Sequence, residues 1–80
     1  MQYVYILMCF DSKPYVGCTK DLRERIRRHS SAQVLATRKR LPIKLVAYFA
    51  FNSIYTAFKF EKYLKSASGR AFMRKRFMKR

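Results

Sequence analysis

The sequence has few acids, which narrows the search for chemistry. Glu61 is one of only four among 80 residues. Ile54, Ala57, Phe58, Glu61 and Leu64 recur at helical spacing, which places Glu61 within an apolar stripe. A carboxylate in such a stripe is costly unless it is paired or bound to a metal. Nineteen Lys and Arg residues could supply an ion pair, and a hard cation would serve equally. An earlier helical stripe holds Leu22, Arg25, Ile26 and His29, while Lys20, Arg23 and Arg27 point elsewhere. An arginine beside apolar residues needs a partner or a phosphate, or else its stem snorkels to solvent. Tyr3 and Tyr5 share one face of an extended run, and Tyr15 opens the next. Taken singly, each tyrosine fits cross-strand aromatic packing.

These side chains must be positioned by a small number of elements. Residues 3–8 are aromatic and β-branched without a breaker, predicting a strand. Both of its faces are apolar, so it should lie centrally. A turn over 10–14 leads to a short strand over 15–18, and the short connection predicts an antiparallel hairpin that brings Tyr5 near Tyr15. Thr19 and Asp21 are candidate N-caps for a helix over about 22–29. Residues 30–41 lack a period, carry Arg38-Lys39-Arg40, and read as a basic loop. A third strand is expected over 44–51. Asn52 or Ser53 then caps a helix over about 54–65, which 66–69 break. A very basic third helix is expected from Ala71 to about Lys79. The order is ββαβαα, with no internal repeat.

Composition bounds the partners. The net charge is +15, which repels itself on compaction and points to a polyanion. Nucleic acid comes first, because phosphates recruit Lys and Arg through counterion release. An anionic membrane surface and plain solvated basicity are the weaker readings. Half the residues are hydrophobic, unlike a disordered basic tail. The basic segments nominate Arg38, Lys39, Arg40, Arg70, Arg74 and Lys75 as phosphate contacts that do not read bases. Cys9 and Cys18 make neither a disulfide framework nor, with one histidine, a zinc motif. No signal peptide is apparent, and the first apolar run is too short to span a bilayer. A single domain over residues 1–80 and a cytoplasmic setting are expected.

Tyr3-Val4-Tyr5 and Tyr15-Val16-Gly17, with ten positions from Tyr5 to Tyr15, resemble the paired signatures of the GIY-YIG nucleases. The segment from Thr19 to His29 is similar to the one carrying that family's helix arginine. Arg38-Lys39-Arg40-Leu41-Pro42 resembles its basic loop, and Phe60-Glu61-Lys62-Tyr63-Leu64-Lys65 its metal-binding helix. Residues 66–72 are similar to the tail of small stand-alone bacterial members described as excinuclease C-like. The resemblance implies an α+β fold with a small three-stranded antiparallel sheet flanked by helices. It also implies an endonuclease that hydrolyses DNA with Mg²⁺ or Mn²⁺, in repair or processing, without a small-molecule cofactor; RNA is left open as a substrate. By residue it points to Tyr5, Tyr15, Arg25 and His29 as catalytic, Glu61 as metal ligand and Gly17 as a tight backbone position. Three departures stand out. Tyr3 replaces the first signature glycine, and Cys18 stands where repair members have lysine. The late phosphate-touching asparagine is missing, leaving its role vacant or passed to Ser66, Ser68 or a nearby cation.

Chemistry distributes sensibly over this set. Arg25 offers a permanently charged fork to non-bridging oxygens. A metal on Glu61 would stabilise the leaving 3′-oxygen. Tyr5 is the expected base, its pKa lowered from ~10 by a strongly cationic, metal-containing pocket. Tyr15 would position water or phosphate, and His29 would orient Tyr5 or the phosphate. The competing reading is a non-catalytic basic nucleic-acid-binding module on the same fold. A third is a structural protein of a ribonucleoprotein particle, which has no need of a carboxylate on an apolar face.

Overall fold

β1, Gln2–Met8, is the strand whose two faces both demand cover, and the chain supplies it. In the computed structural model, which describes residues 1–78, β1 is the centre of a three-stranded sheet of order β2-β1-β3. β2, Pro14–Thr19, and β3, Lys44–Phe51, both pair antiparallel to it. The α+β class, the order ββαβαα and the central first strand are as the sequence predicts.

The alternation of a strand then divides the side chains between two layers. Val4 and Ile6 join Val16, Ala57, Leu64 and Met73 in the buried core. Phe49, Phe51, Phe60 and Phe77 pack around that core, with Phe49 meeting Phe60 and Phe77 edge to face. Helices α2, Ile54–Leu64, and α3, Ala67–Arg76, cover this face. The opposite face carries Tyr3, Tyr5 and Tyr15, and there α1, Leu22–Ser30, lies across the sheet.

Local signals account for the helix boundaries. Asp21 caps α1 by accepting a hydrogen bond from the Glu24 amide at 3.1 Å, and Ser53 caps α2 through the Thr56 amide at 3.2 Å. The expected break over 66–69 is instead a sharp corner. Lys65 closes α2 and Ser66 opens α3 at once, its Oγ accepting from the Gly69 amide at 3.2 Å. Gly69 therefore sits inside α3 rather than in a linker. A Cβ there would collide with the Tyr63 carbonyl and the Leu64 backbone, so only glycine lets α3 fold back so tightly. The expected start at Ala71 is corrected to Ala67. Lys79, the expected last helical residue, and Arg80 lie outside the described residues.

A second correction concerns α2. Ala57 and Leu64 are buried, but Ile54 and Phe58 are 47% and 51% exposed. The inward stripe is Ala57, Phe60 and Leu64. Helical spacing alone offers several faces of an aromatic-rich helix, and the packing partner selects one.

Candidate active site

The tyrosine face of the sheet is organised around one buried hydroxyl. Tyr5 lies at the middle of β1 and is fully buried. Its hydroxyl is 2.9 Å from His29 Nε2, and His29 Nδ1 is 2.7 Å from Thr37 Oγ1. All three side chains are shut off from solvent. His29 is the one fully buried residue of α1, so a polar contact, rather than an apolar stripe, pins this helix to the sheet. The half-buried Leu22 and Ile26 complete the contact.

The neighbours of Tyr5 are the other residues singled out from the sequence. The Tyr15 and Tyr5 rings are 6.4 Å apart, and Tyr15 meets the His29 ring edge on at 5.2 Å. The Arg25 guanidinium lies beside the Tyr5 hydroxyl, and the Glu61 carboxylate is close enough to act on it electrostatically. Arg25 is half-buried, whereas Arg23, Arg27 and Arg28 are exposed. Arg27 is moreover paired with Glu24 at 2.7 Å on the outer surface. Helical spacing thus separates Arg25 correctly from its neighbours.

Burial decides the protonation of this cluster. It pushes the Tyr5 hydroxyl up to about 12, with the Tyr15 oxygen adding and Arg25 only partly offsetting. For His29, burial and then the charges of Arg25 and Arg28 push the imidazole below its ordinary value. It is therefore neutral near pH 7, with one donor and one acceptor nitrogen. An arginine carries donors only, so the guanidinium beside the Tyr5 oxygen leaves the hydroxyl proton directed at His29 Nε2. Nδ1–H then donates to Thr37.

The depressed His29 value has a consequence for folding. The unfolded imidazole takes up its proton near 6.5, the folded one only at lower pH. Stability is thus full above 6.5 and falls as the pH drops through the folded value. The chain has a single histidine, so little else titrates between about pH 7 and pH 5. We expect the melting temperature to decline over that range, and His29→Asn to flatten the decline. A level wild-type profile would contradict the buried neutral imidazole.

Gly17 sits directly across from Tyr5 in the β1–β2 ladder. A Cβ at this position would strike the Tyr5 hydroxyl and ring. The glycine is required by close approach, since its φ is not positive. Gly17→Ala should displace the Tyr5 ring and cost about 1–3 kcal/mol of stability as overpacking does, read by chemical denaturation.

Glu61 projects from α2 with its side chain 21% exposed, and Lys65 Nζ lies 2.9 Å from Oε2. The carboxylate thus already attracts a cation. No group of three or more His, Cys, Asp or Glu side chains exists among the described residues. One carboxylate, with waters and substrate oxygens, is the donor set that Mg²⁺ accepts and that zinc does not.

The sequence-nominated phosphate contacts fall into different places. Arg38 and Lys39 are exposed on the loop. Arg40 is not equivalent to them: its Nε and Nη2 donate to Asp11 at 2.8 and 3.2 Å. It ties the basic loop to the β1–β2 turn, as its backbone does through Phe10. Arg70, Arg74 and Lys75 are exposed on α3. Ser66 is committed to capping, donating to the Tyr63 carbonyl at 2.6 Å, and so is occupied locally. Thr37 has no counterpart in the sequence reading. It sits in an aperiodic loop, and no spacing rule links it to His29.

A sequence model of the GIY-YIG catalytic domain matches residues 1–76. The chain belongs to the GIY-YIG family. It is 44% identical to UPF0213 protein BH0048 of Halalkalibacterium halodurans, over 85% of this chain and 73% of that protein. It is 37% identical to UPF0213 protein SAG0778 of Streptococcus agalactiae, over 86% of this chain and 80% of that protein. The solution NMR structure of the UPF0213 protein BH0048 superposes with a TM-score of 0.59 at 41% identity, covering 92% of this chain and 81% of that one. This GIY-YIG chain is thus a small member of a nuclease superfamily. No helix among its described residues is long and apolar enough to cross a membrane.

Proposed function

We propose that this GIY-YIG protein is a divalent-metal-dependent endonuclease that hydrolyses DNA phosphodiester bonds, acting in DNA repair or processing. The observation that carries the reading is the gathering of Tyr15, Arg25 and His29 around the Tyr5 hydroxyl, with the Glu61 carboxylate within electrostatic reach of it. These residues come from both signatures and from two helices. A binding module would need only the positive surface. A carboxylate beside the site of a chain of net charge +15 weakens phosphate binding, so its presence favours catalysis over the binding-only reading.

Glu61 would hold Mg²⁺ or Mn²⁺, which when bound polarises the phosphate and stabilises the leaving oxygen. The chain supplies the rest. Arg25 offers a planar fork to the non-bridging oxygens, where charge accumulates. Tyr15 is half-buried and lines a surface concavity, which makes it, rather than the closed-off Tyr5, the tyrosine that meets the attacking water. Tyr5 was the more obvious base on sequence alone. Its complete burial and its bond to His29 make it a fixed partner instead. Through His29 and Thr37 it locks α1, and with it Arg25, against the sheet. The other surface cations hold the backbone without reading bases.

The test is nicking of a supercoiled plasmid with and without Mg²⁺. Metal-dependent nicking is expected, and its absence at any protein concentration would defeat the enzyme reading. Binding has its own signature. Affinity should fall steeply with salt, and Arg38→Gln should reduce the slope of log affinity against log salt by about one unit. A slope unchanged in that variant would remove the loop from the DNA interface.

A further inference from the structure

Three neighbouring concavities share lining residues from α2 through β2 to α3. The first is formed by Phe58, Glu61, Lys62 and Lys65. Lys65 passes into the second, which also takes in Tyr15 and Arg70. Arg70, Pro14 and Met73 are shared with the third, a cavity of about 510 Å³ rimmed by Lys13, Arg40 and Arg74 as well. The shared residues make these one groove, with Tyr15 and Glu61 along its course. Its walls carry six cations and a single acid, Glu61; Lys65 is paired with that acid and Arg40 with Asp11, which leaves Lys13, Lys62, Arg70 and Arg74.

One end of the groove is aromatic. Phe58 is 51% exposed and lies one helical turn before Glu61. A turn earlier, Tyr55 is 70% exposed, with Lys59 Nζ 5.3 Å from its ring centroid. Large exposed aromatics beside lysines contribute little to this core, which turns Ala57, Phe60 and Leu64 inward. A cationic groove with aromatic rings is the arrangement that binds single strands: phosphates follow the charge and bases stack on the rings. A paired base is sealed within its duplex and cannot reach Phe58.

We propose that this groove binds an unpaired DNA strand and carries it past Tyr15 and Glu61. Phe58 stacks a base on one side, and the Arg70–Arg74 cavity holds backbone phosphate on the other. The substrate class is single-stranded or locally unwound DNA. The inference rests on the proposed nuclease reading for the place of the cut, and on the groove alone for the binding.

The test is fluorescence anisotropy in EDTA, comparing a labelled single strand with the blunt duplex of the same sequence at equal salt. The denser charge of duplex DNA favours the duplex if only electrostatics acts. We expect the single strand to bind about tenfold more tightly, as one or two stacked bases would provide. Phe58→Ala, at an exposed position that the fold does not need, should erase most of this preference. Arg70→Gln/Arg74→Gln should also narrow it. Arg23→Gln/Arg28→Gln removes equal charge from the outer face of α1 and should weaken both ligands alike. Duplex binding as tight as single-strand binding overturns the proposal, and so does a preference that survives both groove variants. A mononucleotide that competes as well as the strand would make the cavity a nucleotide site and overturn it too. A single-strand preference without metal-dependent nicking supports the groove and defeats the nuclease reading. Nicking without the preference defeats the groove alone.

Discussion

Glu61→Gln is expected to abolish DNA cleavage while leaving DNA affinity level or slightly higher. Among the described residues, Glu61 is the one carboxylate that acts on the Tyr5 hydroxyl, and no acidic cluster could take over a metal. Glutamine keeps the size of the side chain and removes the charge that attracts a cation. Metal stabilisation of a phosphoryl transition state is worth several kcal/mol, so turnover should fall by roughly 10³-fold or more. Removing a negative charge from a cationic groove cannot weaken its hold on phosphates. The variant should also fold normally. Its lost partner is the exposed Lys65 at 2.9 Å, and an i,i+4 surface pair contributes only about 0.3–0.5 kcal/mol. Plasmid nicking and anisotropy on the same preparation decide the matter. Undiminished cleavage at matched Mg²⁺ would remove Glu61 from the mechanism, and lost binding with lost cleavage would reassign it to structure.

Arg25→Lys is expected to lower turnover by ~10²-fold or more, the scale seen when one transition-state donor is removed, with little change in DNA affinity. The substitution keeps the charge and loses the planar fork, which isolates geometry from electrostatics. The structure sharpens the comparison among the arginines of α1. Arg25 is half-buried beside Tyr5. Arg23 is exposed, and Arg27 is occupied by Glu24 at 2.7 Å. Arg23→Lys and Arg27→Lys should therefore be almost silent. Single-turnover rates with saturating enzyme separate the chemical step from binding. Near-normal turnover in Arg25→Lys, with a loss in Arg27→Lys, would mean that the wrong face of α1 has been assigned to the phosphate.

Rules of period two and 3.6 carried much of the architecture. β1 is apolar on both faces, and a strand of that kind has to be central. The stripe Leu22, Arg25, Ile26 and His29 is the face of α1 that turns inward, because side chains three and four apart share a helix face wherever the helix lies. The spacing of the two signatures placed Tyr5 and Tyr15 on neighbouring strands. Gly17 was legible as a special position, although its reason was not. The ladder sets it opposite Tyr5, where a Cβ has no room.

Three things depended on the assembled fold. The first is the inward face of α2, where Phe58 turned outward and Phe60 inward: in a helix rich in aromatics, periodicity offers more than one apolar stripe. The second is the division of the basic loop. Arg40 differs from Arg38 and Lys39 only because Asp11, far off in sequence, is folded beside it. The third is the buried relay Tyr5–His29–Thr37. The sequence by itself determined which residue types were present and which shared a strand or helix face, because those relations are local. Burial depends on everything packed around a group. Only the tertiary structure could therefore decide that the Tyr5 hydroxyl is closed off and pushed up to about 12, and that Tyr15 is the tyrosine left open to the groove.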